Sequence, residues 1–106
     1  MTLEETIRKL QDRVDIEETF HAYCRHADNA DIENMTALFV DDCAVSYVQG
    51  GEDTVYRGRA TLHSFLSSFQ GAVISGSHHI SNLELVFDTP DAVRMHAYMY
   101  SWQRFK

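Results

Sequence analysis

The sequence predicts an α+β domain in which N-terminal helices pack in a curved, mainly antiparallel sheet. Apolar residues recur at helical spacing through the first part of the chain, whereas the last part alternates apolar and polar residues as half-buried strands do. The two kinds of segment are segregated along the chain, which points away from a parallel sheet built of βαβ units. At 106 residues the chain holds one domain, assigned to residues 1–106. A hydrophobic content of 44% supplies a core and sets disorder aside.

Leu3, Ile7, Leu10 and Val14 stand at helical spacing, and Thr2 followed by Glu5 forms a capping box ahead of them. The pattern continues through Ile16, Phe20, Tyr23 and Ala27, with a break near Asp12 to Asp15. One bent helix or two consecutive helices, ending near Asn29, fit it. A short helix follows over Ile32 to Phe39, with Asp31 as its N-cap. Ala44 to Val48 and Thr54 to Arg57 read as a hairpin around Gly50-Gly51. Gly58 breaks the strand, and Thr61 to Phe69 gathers Leu62, Phe65, Leu66 and Phe69 on one helix face. In SHHISNLELVFD, Leu83, Leu85 and Phe87 alternate with more polar neighbours. Beyond the turn Thr89-Pro90-Asp91, VRMHAYMYSWQRF forms another long strand. Four strands curling around the first helix would make a cone whose open end is a natural ligand pocket.

The net charge of −7 repels phosphate backbones and anionic lipid, so neither nucleic acid nor a membrane surface is expected as a partner. Cys24 and Cys43 have no second cysteine at short spacing and suggest neither a disulfide framework nor a zinc site. No apolar run approaches the roughly 20 residues needed to span a bilayer. MTLEETIRKLQDR lacks a signal peptide's apolar stretch. The expected setting is cytoplasmic and reducing.

The stretch DRVDIEETFHAYCRHADNADIENMTALFVDDCAVSY resembles the opening of SnoaL-like proteins of the nuclear transport factor 2-like (NTF2-like) superfamily. It carries an aromatic residue (Tyr23), an acid (Asp28), the apolar pair Leu38-Phe39, the acidic turn Asp41-Asp42 and a strand from Ala44 to Tyr47. YRGRATLHSFL and SHHISNLELVFD resemble the family's middle section. The resemblance covers essentially the whole chain. It implies the cone-shaped NTF2-like fold, although family members usually run on for further strands after the segment matching Met95 to Phe105. The domain is therefore expected to be C-terminally incomplete.

The resemblance also implies a site. In the superfamily's dehydratases and its hexachlorocyclohexane dehydrochlorinase, an acid matching Asp28 hydrogen-bonds a histidine that abstracts a proton. Tyr23 would then orient the substrate or act as an acid. Their five-residue spacing is not a same-face helical spacing, so both reach one pocket only if the helix unwinds near Ala27. The partner histidine lies in SHHISN. Aligning Asn82 with the family's strand without a gap selects His78. Strand parity instead puts His79 on the face of Leu83 and Leu85. His78 is preferred, with His79 kept as the alternative. His96 and Tyr98 share a face of the last strand; His96 and Tyr47 resemble pocket residues of scytalone dehydratase, and all three are expected to bind substrate. Taken singly, each of these residue types is more often core or surface than catalytic.

A histidine with a carboxylate behind it is held in one tautomer and can remove a proton next to an activating group. A tyrosine or second histidine can protonate a departing hydroxyl. Such an elimination needs no cofactor, and His78, His79 and His96 lack the further ligands of a metal site. Tyr47 stands where ketosteroid isomerase has its aspartate base, which disfavours that reaction. The expectation is a lyase or isomerase of dehydratase type acting on a small, largely apolar molecule. A polyketide cyclase or a non-catalytic binding module are the alternatives. Apolar bulk on both faces of the last strand, from Met95 to Phe105, adds an expectation of self-association, as a dimer or trimer, through the sheet's outer face or exposed edge.

Overall fold

A computed structural model describes all residues from Met1 to Lys106. The first helical region is a single helix, α1 (Leu3–Asp28), opened by the capping box between Thr2 and Glu5. It does not break near Asp12 to Asp15. What changes there is the apolar face: Leu3, Ile7, Leu10 and Val14 lie on the opposite side of the helix from Ile16, Phe20, Tyr23 and Ala27. At about 100° per residue the two sets cannot share one stripe. Only the second set meets the protein, and the first remains exposed.

Asp31 caps α2 (Ile32–Thr36) through the Asn34 amide. β1 (Ala44–Gln49) and β2 (Glu52–Arg57) form an antiparallel hairpin around Gly50-Gly51, whose positive φ values of 60° and 83° suit glycine. α3 (Arg59–Gln70) leads to β3 (Val73–Thr89) and β4 (Ala92–Phe105), a long antiparallel hairpin. No helix is long and apolar enough to cross a membrane.

The four strands make two separate two-stranded sheets. The antiparallel strands expected from the sequence are present as these two hairpins, with β2 lying on α3 and β3 lying on α1. The core is correspondingly small and sits where α1, α2 and α3 converge: Ala27, Met35, Leu62 and Leu66 are buried together, with Tyr23, Phe39, Tyr47 and Phe65 packed around them. The molecule measures 53 × 28 × 25 Å with a radius of gyration of 15.7 Å. A compact globule of this length would have about 13 Å. The excess reflects α1 and the β3–β4 hairpin, which run well past the core.

Gly76 lies where a side chain cannot fit. A Cβ there would stand 2.9 Å from the Trp102 carbonyl oxygen on β4, and that backbone cannot move without disturbing the ladder. Gly76→Ala is expected to cost about 1–3 kcal/mol, the usual range for overpacking. Urea unfolding would show it as a lowered midpoint at unchanged slope.

Candidate active site

Asp28 is the last residue of α1, which stays helical through Ala27. The unwinding expected between Tyr23 and Asp28 does not occur, because the i→i+4 ladder is uninterrupted up to Asn29, whose amide bonds the Arg25 carbonyl. The two side chains accordingly leave the helix in different directions, Tyr23 toward Phe39 and Asp28 toward β3.

On β3 the decisive feature is one extra residue. The pairing shifts between Ser81↔Tyr98 and Glu84↔His96, three steps on β3 against two on β4. Asn82 takes up the bulge with a φ of 56°, a left-handed conformation that asparagine tolerates better than most residues. A bulge reverses the alternation of faces. His78 and Ile80 therefore share the α1-facing side with Leu83, Leu85 and Phe87, although parity counted on an unbroken strand gives that side to His79.

His78 Nδ1 lies 2.7 Å from Asp28 Oδ1, joining residues 50 apart in sequence. A carboxylate only accepts, so Nδ1–H donates and the second nitrogen, Nε2, carries the lone pair. Side-chain exposures of 16% for His78 and 27% for Asp28 make this a sheltered contact. Nε2 has no protein partner and is not fully buried. His79 is exposed on the other side, where it meets Ser77 Oγ at 2.8 Å and stands beside Tyr100.

Tyr23 and Tyr47 belong to the aromatic shell of the core. Tyr23 packs edge-on to Phe39 at 6.0 Å, and Tyr47 lies against Tyr56 and Phe65. Burial first, and then the neighbouring Tyr47, push the Tyr23 phenol above its usual range. Burial also raises Tyr47. Both keep their protons at neutral pH, and the Tyr23 hydroxyl donates toward the Tyr47 hydroxyl. Burial and the Asp28 carboxylate raise the Cys24 thiol, which is a packing group and not a thiolate nucleophile.

His96 and Tyr98 do not join this group. Their cross-strand partners, Glu84 and Ser81, share the face of His79, so both point away from α1. The expectation that they converge with the dyad fails on the alternation of β4. They border only an open, polar depression with Asn82 and Glu84.

An apolar cavity of about 440 Å³ opens between α1, the segment after α2, and β4. Ile16, Phe20, Tyr23, Leu38, Phe39 and Met95 form its apolar lining. Neither His78 nor Asp28 lines it; Tyr23 is the one expected site residue that does. Sequence reasoning did not assign Ile16, Phe20 and Met95 to a pocket, and only the packing of the β3–β4 hairpin beside α1 brings them together. It also missed a second histidine–carboxylate contact, His63 Nε2 to Glu33 Oε1 at 2.6 Å, which links α3 to α2 near Arg59 and Asp41. No local signal marks that pair, 30 residues apart. No three His, Cys, Asp or Glu side chains converge as a metal site requires.

The sequence pattern of the SnoaL-like domain matches residues 8–106. A solved structure of a protein from Novosphingobium aromaticivorans, provisionally named a scytalone dehydratase, is similar at a TM-score of 0.85 and 27% identity, over 94% of this chain and 65% of that one. The hexachlorocyclohexane dehydrochlorinase LinA-type3 from Novosphingobium barchaimii follows at 0.80 and 17% identity, over 94% and 67% of the two chains. ActVI-ORFA from Streptomyces coelicolor is similar at 0.72 and 14% identity, over 88% and 69%. The last two share the fold at identities too low to carry more. The chain thus spans about two thirds of the length of the solved structures it matches. Among curated proteins none matches the sequence.

Proposed function

This chain belongs to the SnoaL-like domain family, with the NTF2-like fold, and we propose that it is an acid–base lyase or isomerase of dehydratase type. The observation that carries the reading is the 2.7 Å contact between His78 and Asp28. Asp28 holds the Nδ1–H tautomer, so Nε2 serves as the base. It takes a proton from the carbon next to a carbonyl, and the C–H electrons form the new double bond as a β-hydroxyl leaves with its own bonding pair. The imidazolium or a protonated tyrosine returns a proton to the departing hydroxide as water. Tyr23, held protonated by its burial, lines the neighbouring apolar cavity and would take part only with a substrate long enough to reach from there to Nε2. The dehydratase name of the 27% identical structural neighbour supports an elimination of this kind.

The expected substrate is a small, largely apolar β-hydroxy carbonyl compound. Self-association is part of the same proposal, because Tyr98, Tyr100 and Trp102 stand 46–71% exposed along one face of β4. The apolar cavity favours a second reading, a non-catalytic binding module, since it holds Tyr23 but not the dyad. Deuterium exchange separates the two. Incubated in D₂O with apolar β-hydroxy ketones, the parent protein is expected to exchange the α-proton or release water at rates well above buffer. Saturable binding of the ketones with no exchange would replace the lyase reading by the binding module.

A further inference from the structure

The N-terminal half of α1 presents an apolar seam that no other part of residues 1–106 covers. Leu3, Ile7, Leu10 and Val14 are 76%, 58%, 58% and 47% exposed. Isolated apolar residues on a surface are ordinary, but these four form one line at intervals of four, three and four residues. That is the seven-residue repeat of a two-stranded coiled coil, with Ile7 and Val14 at its first position and Leu3 and Leu10 at its fourth. A β-branched residue at the first position and leucine at the fourth is the combination that favours two parallel strands.

Two further observations select the occupant. The opposite face of the same half-helix is tied to the protein: Arg8 reaches Asp91 at 3.2 Å, and the Lys9 ammonium lies 5.0 Å from the centre of the Phe87 ring. The helix is thus ordered and its seam points outward. Arg13 and Glu18 flank the seam five residues apart, and neither has an ion-pair partner within its own chain. In a parallel pair, positions five apart on either side of the seam meet across it. Arg13 of each copy would then face Glu18 of the other, twice by symmetry. The chain as a whole carries −7, but the first 14 residues balance Arg8, Lys9 and Arg13 against Glu4, Glu5 and Asp12. The seam therefore carries none of the chain's net negative charge.

We propose that the Leu3–Val14 face of α1 docks in parallel on the same face of a second copy of this chain. The pair is a short zipper of two repeats, and the ordering entropy that weakens isolated zippers is already met by the anchored helix. This interface is distinct from the outer face of β4, so the tests must tell the two apart. Ile7→Cys in the full chain is expected to give a disulfide-linked dimer on mild oxidation, because first-position residues of a parallel pair face each other. Leu10→Glu is expected to halve the particle mass in light scattering, with circular dichroism unchanged. Arg13→Glu should weaken association by about tenfold, as attraction at two symmetric pairs turns to repulsion, and adding Glu18→Arg should restore it. Failure of Ile7→Cys to cross-link while Tyr98→Cys does would assign the contact to the sheet face and overturn the zipper. A chain-to-chain link between Leu3→Cys and Val14→Cys would overturn its parallel sense, and a mass unaffected by Leu10→Glu would overturn it outright.

Discussion

Replacing His78 with Ala is expected to lower proton abstraction from a β-hydroxy ketone by about 10²–10⁴-fold, the range a positioned general base supplies. His79→Ala should leave the rate close to the parent's, since His79 faces solvent on the other side of β3. The neighbour is the internal control, as both substitutions remove the same ring from the same strand. Asp28→Asn tests the positioning role separately. The amide conserves volume and should leave the fold intact, but it can also present an N–H to the imidazole and so no longer enforces one tautomer. The rate should fall with little change in KM, and the ¹⁵N shifts of the His78 ring should move from a single Nδ1–H form toward a mixture. If both histidine variants turn over substrate like the parent, the dyad is a structural contact and the lyase reading is wrong.

Leu62→Ala is expected to cause the largest loss of stability of any single truncation, about 2–5 kcal/mol. Leu62 is the one residue with 0% exposure, and it sits at the meeting point of the three helices with Ala27, Met35 and Leu66. Only six residues in the chain are buried, so a cavity there has few neighbours that can collapse into it. Against a typical stability of about 5–15 kcal/mol, such a loss leaves a substantial unfolded fraction on mild heating. Val40→Ala, at a side chain 67% exposed, should change stability by no more than about 0.5 kcal/mol. Equal thermal shifts for the two variants would show that the core is not where the burial places it.

The elements were legible because their signals are local. Thr2 and Glu5 make the capping box they spell, Asp31 caps α2, and Gly50-Gly51 turns the first hairpin. Alternation marked both long strands. Three features were not legible. The apolar run of α1 read as one interrupted stripe, and only the packing shows it to be two stripes on opposite faces, one of them free. The pairing of the strands into two hairpins was another, because alternation shows that a strand is half-buried and not which edge it pairs with. His96 and Tyr98 read as pocket residues, although β4 turns them outward.

The chain by itself determined the α+β class, the order and type of every element, and the presence of an acid, two adjacent histidines and two tyrosines in a family pattern. These follow from periodicities and turn residues that act within a few positions. The tertiary structure alone decided which histidine meets Asp28. That choice depends on one extra residue at Asn82, which shifts the ladder and exchanges the faces of His78 and His79, and on a contact closed across 50 residues. No nearest-neighbour preference encodes either, because the energy that selects them comes from packing β3 against α1.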